Sequence, residues 1–122
     1  MKIVITGCAG FIGFHLAQKL RKNHRVSGID NFNTYYDVKL KRDREKILKH
    51  SCGIHVEHLD LLWKNSLIKH LAKCKPDVVI HLAAMAGVRH SMDDPTSYIE
   101  NNIVGTHNLI EACDLLNMEK AV

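Results

Sequence analysis

The chain has 122 residues, enough for one domain with a sizeable core and too few for two ordinary domains. Apolar residues make up 46% of it, which excludes a disordered class, and no apolar run reaches the roughly 20 residues that span a bilayer. The net charge is +4, mostly from KLKRDREKILK (39–49), where interleaved acids predict a solvated helix face with Lys41–Glu45 and Glu45–Lys49 pairs rather than a nucleic-acid surface.

Strands and helices alternate along the chain. Apolar and β-branched runs predict strands at 2–6, 24–30, 53–60 and 77–84, and EKAV (119–122) predicts the opening of a fifth. Apolar residues at helical spacing predict helices at 14–23, 37–50, 65–73 and from Asp94-Pro95 to about Leu116. This order predicts an α/β fold, a Rossmann-like doubly wound parallel sheet with helices on both faces, cut off at the start of the fifth strand.

Three glycines follow the first predicted strand at equal spacing. Gly7, Gly10 and Gly13 form Gly-x-x-Gly-x-x-Gly, and a predicted helix opens there. The first glycine permits a tight turn, the second lets the backbone approach a pyrophosphate, and the third lets helix and strand pack closely. Free N–H groups and the positive end of the helix dipole favour the phosphates. The loop therefore predicts a dinucleotide site.

An acidic residue completes this pattern. Asp30 ends the second predicted strand, 23 residues after Gly7, where a carboxylate accepts hydrogen bonds from the adenosine ribose hydroxyls. The same carboxylate would repel a 2′-phosphate, which favours NAD over NADP. Lys39 and Lys41 lie nearby and weaken that preference a little.

The cysteines and the first residues predict a cytoplasmic protein. Cys8, Cys52, Cys74 and Cys113 form no Cys-x-x-Cys pair, which predicts buried reduced thiols. MKIVITGCAG runs directly into the glycine loop and lacks the pattern of a signal peptide. The nine histidines contain no His-Glu-x-x-His, and we expect no metal site.

Five segments carry a family resemblance: TGCAGFIG (6–13), GIDNFNTYYD (28–37), HLD (58–60), HLAAMAGVRHS (81–91) and NNIVGTHNLIEAC (101–113). Together they resemble the NAD-dependent epimerase/dehydratase family, the extended short-chain dehydrogenase/reductases that act on nucleotide sugars. Within it, DNFNTYYDVKLK (30–41) followed by AGVRHS (86–91) is most similar to the UDP-glucuronate 4-epimerase branch. The resemblance covers essentially the whole chain.

The resemblance implies roles for the matching positions. A pyrophosphate would contact Gly7, Gly10, Phe11, Ile12 and Gly13. The adenosine would contact Asp30, Asn31 and Asn33 at its ribose and Asp60 and Leu61 at its adenine. Leu82, Ala83, Ala84 and Met85 would line the path to the nicotinamide. Asn101, rather than its neighbour Asn102, would be the cofactor contact of the long helix. Arg89, just after the fourth strand, would meet a substrate carboxylate or phosphate, although an ordinary surface arginine is an equal alternative.

Tyr35 and Lys39 have the Tyr-x-x-x-Lys spacing of the family's catalytic pair, but they follow the second predicted strand. In the family, that pair follows the fifth strand and removes a proton from the sugar, so its members are expected beyond residue 122. YYDVK (35–39) is then a coincidence of spacing, and the chain is expected to be the NAD-binding N-terminal portion, 1–122, without the substrate domain. Alone it is expected to be inactive.

The implied activity is transient oxidation and reduction at C4 of a UDP-sugar. A dehydratase or reductase of the same family, or a non-catalytic NAD-binding module, remains an alternative.

Exposed apolar strand edges also predict self-association.

Overall fold

The structure, a computed structural model, describes residues 1–122 as one parallel sheet with helices. Its strands are β1 (Lys2–Thr6), β2 (Arg25–Asp30), β3 (Val56–His58) and β4 (Val78–His81), in the spatial order β3-β2-β1-β4. All three pairings are parallel. This is the order of the first half of a doubly wound nucleotide-binding fold, so the predicted fold class is confirmed.

The helices connect these strands and cover both faces of the sheet. They are α1 (Phe11–Leu20), α2 (Val38–Cys52), α3 (Lys64–Cys74), α4 (Val88–Asp93), α5 (Pro95–Tyr98) and α6 (Gly105–Leu115), with a π-helical segment, Ile99–Val104, joining α5 to α6. None of them has the length and apolar character needed to cross a bilayer.

The core has two halves, one on each face, because successive residues of a strand point to opposite sides. Ile3 and Ile5 of β1 pack with Leu48 of α2 on one face. Val4 of the same strand packs with Leu67 of α3 on the other. Both faces of β1 are therefore dry, as expected for a central parallel strand.

The predicted opening of a fifth strand is confirmed. Ala121 forms a parallel bridge with Val79 of β4, and the Val122 amide donates to the Val79 carbonyl at 2.9 Å. EKAV thus adds to the sheet on the far side of β4 from β1.

Two strands are shorter than predicted, for identifiable reasons. Gly53 ends α2 in a left-handed conformation, and the Ile54 amide still donates to Leu48 of that helix, so β3 begins only at Val56. At the end of β4, the Thr6 hydroxyl accepts hydrogen bonds from the amides after His81 and turns the chain away from the sheet.

The predicted solvated face of α2 is wrong at Lys41. Lys41 and Leu48 are the buried residues of this helix, and Arg44 is half-buried with its guanidinium bonded to the Ala9 carbonyl. The expected Lys41–Glu45 pair is absent, because Glu45 contacts His58 and Arg42 instead. The helix therefore turns cationic groups toward the glycine loop.

The cysteine prediction is only partly right. No cysteine is bonded to another, but only Cys8 and Cys113 are buried, whereas Cys52 and Cys74 are partly exposed. Burial, followed by the charge of Asp30, raises the pKa of the Cys8 thiol to about 12. Cys8 packs directly against Gly28, where a Cβ would lie 2.4 Å from the Cys8 Cβ.

Candidate functional site

A cleft lies at the carboxyl ends of the strands, where ligands bind in open α/β sheets. It is partly open to solvent and is lined by residues that follow each of the four strands. Of the predicted cofactor residues, those that line it are Gly7, Gly10, Asp30, Asn31, Asn33, Asp60, Leu61, Leu82, Ala83, Ala84, Met85 and Asn101. The structure thus brings together most of the residues that the motifs single out.

The glycine loop has no room for side chains. Gly7 adopts a φ of 71°, in the left-handed region, and a Cβ there would lie 2.8 Å from the Ala83 amide nitrogen. A Cβ on Gly13 would lie 2.2 Å from the Gly7 carbonyl oxygen. The loop therefore packs backbone against backbone, and β4 lies directly behind it.

Three predicted residues, Phe11, Ile12 and Gly13, do not line the cleft with their side chains, yet their amides are free. These are the first three residues of α1, and their N–H groups donate to no acceptor in the protein. Gly10 precedes them and supplies no side-chain cap. Free amides at the positive end of a helix form a site for a phosphate group, so the loop fits a pyrophosphate.

Asp30 is held rigidly at the opposite side of the loop. Asp30 is 6% exposed. Its two carboxylate oxygens accept hydrogen bonds from the backbone amides of Ala9, at 3.0 Å, and Phe32, at 2.9 Å. Phe32 has a φ of 51°, which turns the chain back sharply after β2. Each oxygen keeps a second lone pair for a ligand hydroxyl.

Asp60 and Asn31 face each other across the same end of the cleft. The Asn31 amide donates to Asp60 at 3.3 Å, and the other Asp60 oxygen accepts the Leu62 amide at 2.9 Å. A carboxylate with free acceptor capacity lies beside Leu61, which suits the exocyclic amine of an adenine.

Thr6 and His81 fix the ends of β1 and β4 behind the cleft. The buried Thr6 hydroxyl accepts the amides of Leu82 and Ala83, each at 3.1 Å, and its own proton then goes to His81 Nδ1 at 2.7 Å. His81 Nε2 therefore carries the ring proton and donates to Thr106 at 2.8 Å. Burial lowers the pKa of His81, in keeping with this neutral form.

Aromatic residues bridge the two loops above the cleft. The Tyr35 ring stacks on His90 with centroids 4.2 Å apart, and the Tyr98 hydroxyl donates to the carbonyls of Ala86 and Gly87. Tyr35 precedes Asp37, the N-cap of α2, whereas Lys39 lies within the helix. The two therefore do not lie one helical turn apart, and the interpretation of YYDVK as a coincidence stays a prediction.

The two neighbouring asparagines, Asn101 and Asn102, have different environments. Asn102 uses both ends of its side chain on the backbone of Met85, at 2.7 and 2.9 Å. Asn101 lines the cleft and uses only its amide nitrogen, on the Ser97 carbonyl. Its side-chain oxygen is left for a ligand.

Arg89, the predicted substrate contact, is not part of the cleft. It lies on α4 and is exposed, and its side chain makes no hydrogen bond or ion pair within the protein. Its role stays a prediction.

Five further residues line the cleft: Ile29, Tyr35, Tyr36, Lys41 and Leu59. Tyr35 and Tyr36 follow the acidic motif, and their position was a usable signal. Ile29 and Leu59 directly precede Asp30 and Asp60, so strand ends could have identified them. Lys41 is a charge near Asp30 in the sequence, but its helical spacing indicated a surface ion pair rather than a cleft residue.

A glycine loop with free helix amides, facing a buried acid at the end of the second strand, defines a dinucleotide-binding domain of the Rossmann class. The sequence profile described as GDP-mannose 4,6 dehydratase matches residues 4–122. The chain belongs to this family, and the resemblance to nucleotide-sugar epimerases and dehydratases is confirmed.

Similar proteins carry epimerase names. UDP-glucuronate 4-epimerase 2 of Arabidopsis thaliana is 43% identical over all of this chain, and Protein CapI of Staphylococcus aureus is also 43% identical over all of it. The solved structure of UDP-glucuronic acid 4-epimerase from Bacillus cereus, in complex with UDP-glucuronic acid and NAD, is 41% identical and superposes with a TM-score of 0.88 over 99% of the chain. The chain spans 28%, 36% and 38% of the lengths of these three proteins, respectively.

Proposed function

We propose that the cleft binds NAD and that residues 1–122 are the NAD-binding N-terminal portion of a nucleotide-sugar epimerase. The observation that carries the proposal is the pairing of free amides in the glycine loop with the buried Asp30 carboxylate across one cleft. Solved relatives, including the Bacillus cereus enzyme, contain NAD, which supports the choice of dinucleotide.

The proposed contacts follow the chemistry of each part of the cleft. The amides of Phe11, Ile12 and Gly13, with the backbone of Gly7 and Gly10, hold the pyrophosphate. Asp30, Asn31 and Asn33 hold the adenosine ribose, and Asp60 and Leu61 flank the adenine. Leu82, Ala83, Ala84, Met85 and Asn101 line the nicotinamide half. When bound, NAD supplies the hydride acceptor, and the chain's own residues bind and orient it.

For the activity, we infer 4-epimerisation of a UDP-sugar in the complete protein, with UDP-glucuronate as the substrate class. The identity of about 43% to UDP-glucuronate 4-epimerases supports this. The matching profile bears a dehydratase name, so dehydration of a nucleotide sugar is the second candidate. Arg89 is proposed as a contact for the substrate's acidic groups, because its guanidinium has no partner in the protein.

A chimeric enzyme tests whether this chain supplies the cofactor half of an epimerase. The aligned segment of the Bacillus cereus enzyme is replaced by residues 1–122, and NMR follows conversion of UDP-glucuronic acid to its 4-epimer. We expect turnover, because the two backbones agree closely. A matched chimera that carries Asp30→Ala is expected to need at least about tenfold more added NAD for half-maximal turnover. A folded chimera that binds no NAD or forms no epimer would contradict the proposal.

We also propose self-association, which the sequence suggested from the apolar strand edge, and the exposed apolar side chains of the helices after β4 support it. Val88, Met92, Ile99, Ile103 and Ile110 are all exposed there, and exposed apolar side chains favour contact with another protein surface. Sedimentation is expected to show a dimer at micromolar concentration, and Ile103→Glu is expected to shift it to monomer. A monomer at all concentrations would refute the idea.

A cytoplasmic setting is proposed on the four unpaired cysteines, since reduced thiols are the rule in that compartment. Cell fractionation with an antibody to the chain would test it.

A further inference from the structure

One lysine of α2 is buried without a carboxylate partner. Lys41 is 7% exposed, a burial that lysine almost never reaches unless its charge is paired. Its ammonium donates to the Asn33 side-chain oxygen at 2.9 Å and to the Asn33 carbonyl at 3.3 Å. It takes part in none of the ion pairs of the structure. Because an ammonium carries three N–H donors, one N–H of Lys41 has no acceptor.

The ammonium and the Asp30 carboxylate belong to the same cleft. Both residues line it, beside Gly10. Burial lowers the pKa of Lys41, and the charge of Asp30 opposes that shift, so the two charges interact without forming an ion pair. The Asp30 oxygens are already bonded to the amides of Ala9 and Phe32. The cleft is therefore lined by a Lys41 ammonium with one unused N–H and by an Asp30 carboxylate whose two oxygens can each accept a further hydrogen bond.

Lys41 is also tied to the opposite side of the cleft. The Asn33 side-chain oxygen accepts the hydrogen bond from Lys41, and the amide nitrogen of the same side chain donates to the Met85 sulfur at 3.3 Å. Met85 in turn is fixed by Asn102. The position of the ammonium is therefore set by contacts from both walls of the cleft, which pre-organises it for a ligand.

We propose that Lys41 is a further cofactor-binding residue, whose free N–H donates to a hydroxyl oxygen of the adenosine ribose; this rests on the proposed placement of NAD. A hydroxyl offers one donor and two acceptor lone pairs, whereas a carboxylate only accepts and an ammonium only donates. Asp30 and Lys41 then satisfy complementary parts of the ribose diol. The cation also offsets the carboxylate, which otherwise repels the two phosphates of the cofactor.

The test compares residue and hydroxyl deletions by calorimetry. The unaltered chain, Lys41→Met and the control Lys39→Met are each titrated with ADP, 2′-deoxy-ADP and 3′-deoxy-ADP. Lys41→Met is expected to weaken ADP binding about tenfold, as for loss of one charged hydrogen bond. It is expected to leave unchanged the affinity for the deoxy analogue that lacks the hydroxyl bound by Lys41. Lys39, which is exposed on the same helix, should affect none of the three.

The outcomes separate the two proposals. Equal weakening of all three nucleotides by Lys41→Met overturns the ribose assignment, because a phosphate contact or a loosened fold has that effect. Unchanged ADP affinity overturns it as well. If Lys41→Met does not fold, Lys41→Gln, which keeps N–H donors for Asn33, makes the same comparison. An unaltered chain that binds neither ADP nor NAD overturns the cofactor site itself and Lys41 with it.

Discussion

Replacing Gly13 with alanine is expected to lower the free energy of unfolding of the chain by about 3 kcal/mol and to abolish NAD binding. The new Cβ would lie 2.2 Å from the Gly7 carbonyl oxygen and 3.0 Å from the Cys8 Cα, so it collides with backbone rather than with a flexible side chain. The start of α1 then has to move away from β1, and the free amides at its first turn move with it. Urea denaturation measures the first effect and calorimetry the second.

Gly105→Ala is the matched control for this prediction. Gly105 is also buried in a helix, but a Cβ there would first meet the Leu61 Cβ at 3.3 Å, a contact that a displacement of a few tenths of an ångström removes. Alanine is also favoured over glycine inside a helix by about 1 kcal/mol. Stability close to that of the unaltered chain is expected. If Gly13→Ala were as stable as Gly105→Ala, the close approach of α1 to the loop would be wrong.

Asp30→Ala is expected to weaken NAD binding at least about tenfold, because charged hydrogen bonds to the ribose are lost. It should weaken NADP less, since the carboxylate no longer repels a 2′-phosphate, and the preference for NAD should disappear. The amides of Ala9 and Phe32 lose their acceptors as well, which we expect to cost about 2 kcal/mol of stability.

The ratio of the two affinities separates these effects. Partial unfolding weakens NAD and NADP by the same factor, whereas loss of the carboxylate at the ribose changes their ratio. Asp43→Ala, an exposed acid on α2, is the control and should leave both affinities unchanged. An unchanged ratio in a folded Asp30→Ala chain would remove Asp30 from the ribose site.

The sequence predicted the parts of the site that depend on local structure. Gly7, Gly10 and Gly13 lie in one turn between β1 and α1, and Asp30 ends a strand, so spacing and the strand–helix order were enough. The family resemblance supplied Asp60 and the segment Leu82–Met85, and the sheet order brings them to the same edge. Parallel strands with right-handed crossovers leave few alternatives.

The missed features depend on contacts between segments far apart in the chain. The Lys41 side chain is buried and its ammonium donates a hydrogen bond to Asn33, a contact that helical spacing does not reveal. The end of β4 depends on the Thr6 hydroxyl, and α4 forms in a segment without helical periodicity.

The choice of Asn101 over Asn102 for the cofactor fits the structure, because both ends of the Asn102 side chain are bonded to the backbone of Met85.

The most direct test of the cofactor site is calorimetric titration of the unaltered chain with NAD and, separately, with NADP. Saturable binding of one NAD per chain, with clearly weaker NADP, is the predicted result. It would show that the loop amides and Asp30 act together as a selective site. Absence of NAD binding in a chain that circular dichroism shows to be folded, or tighter binding of NADP, would contradict it.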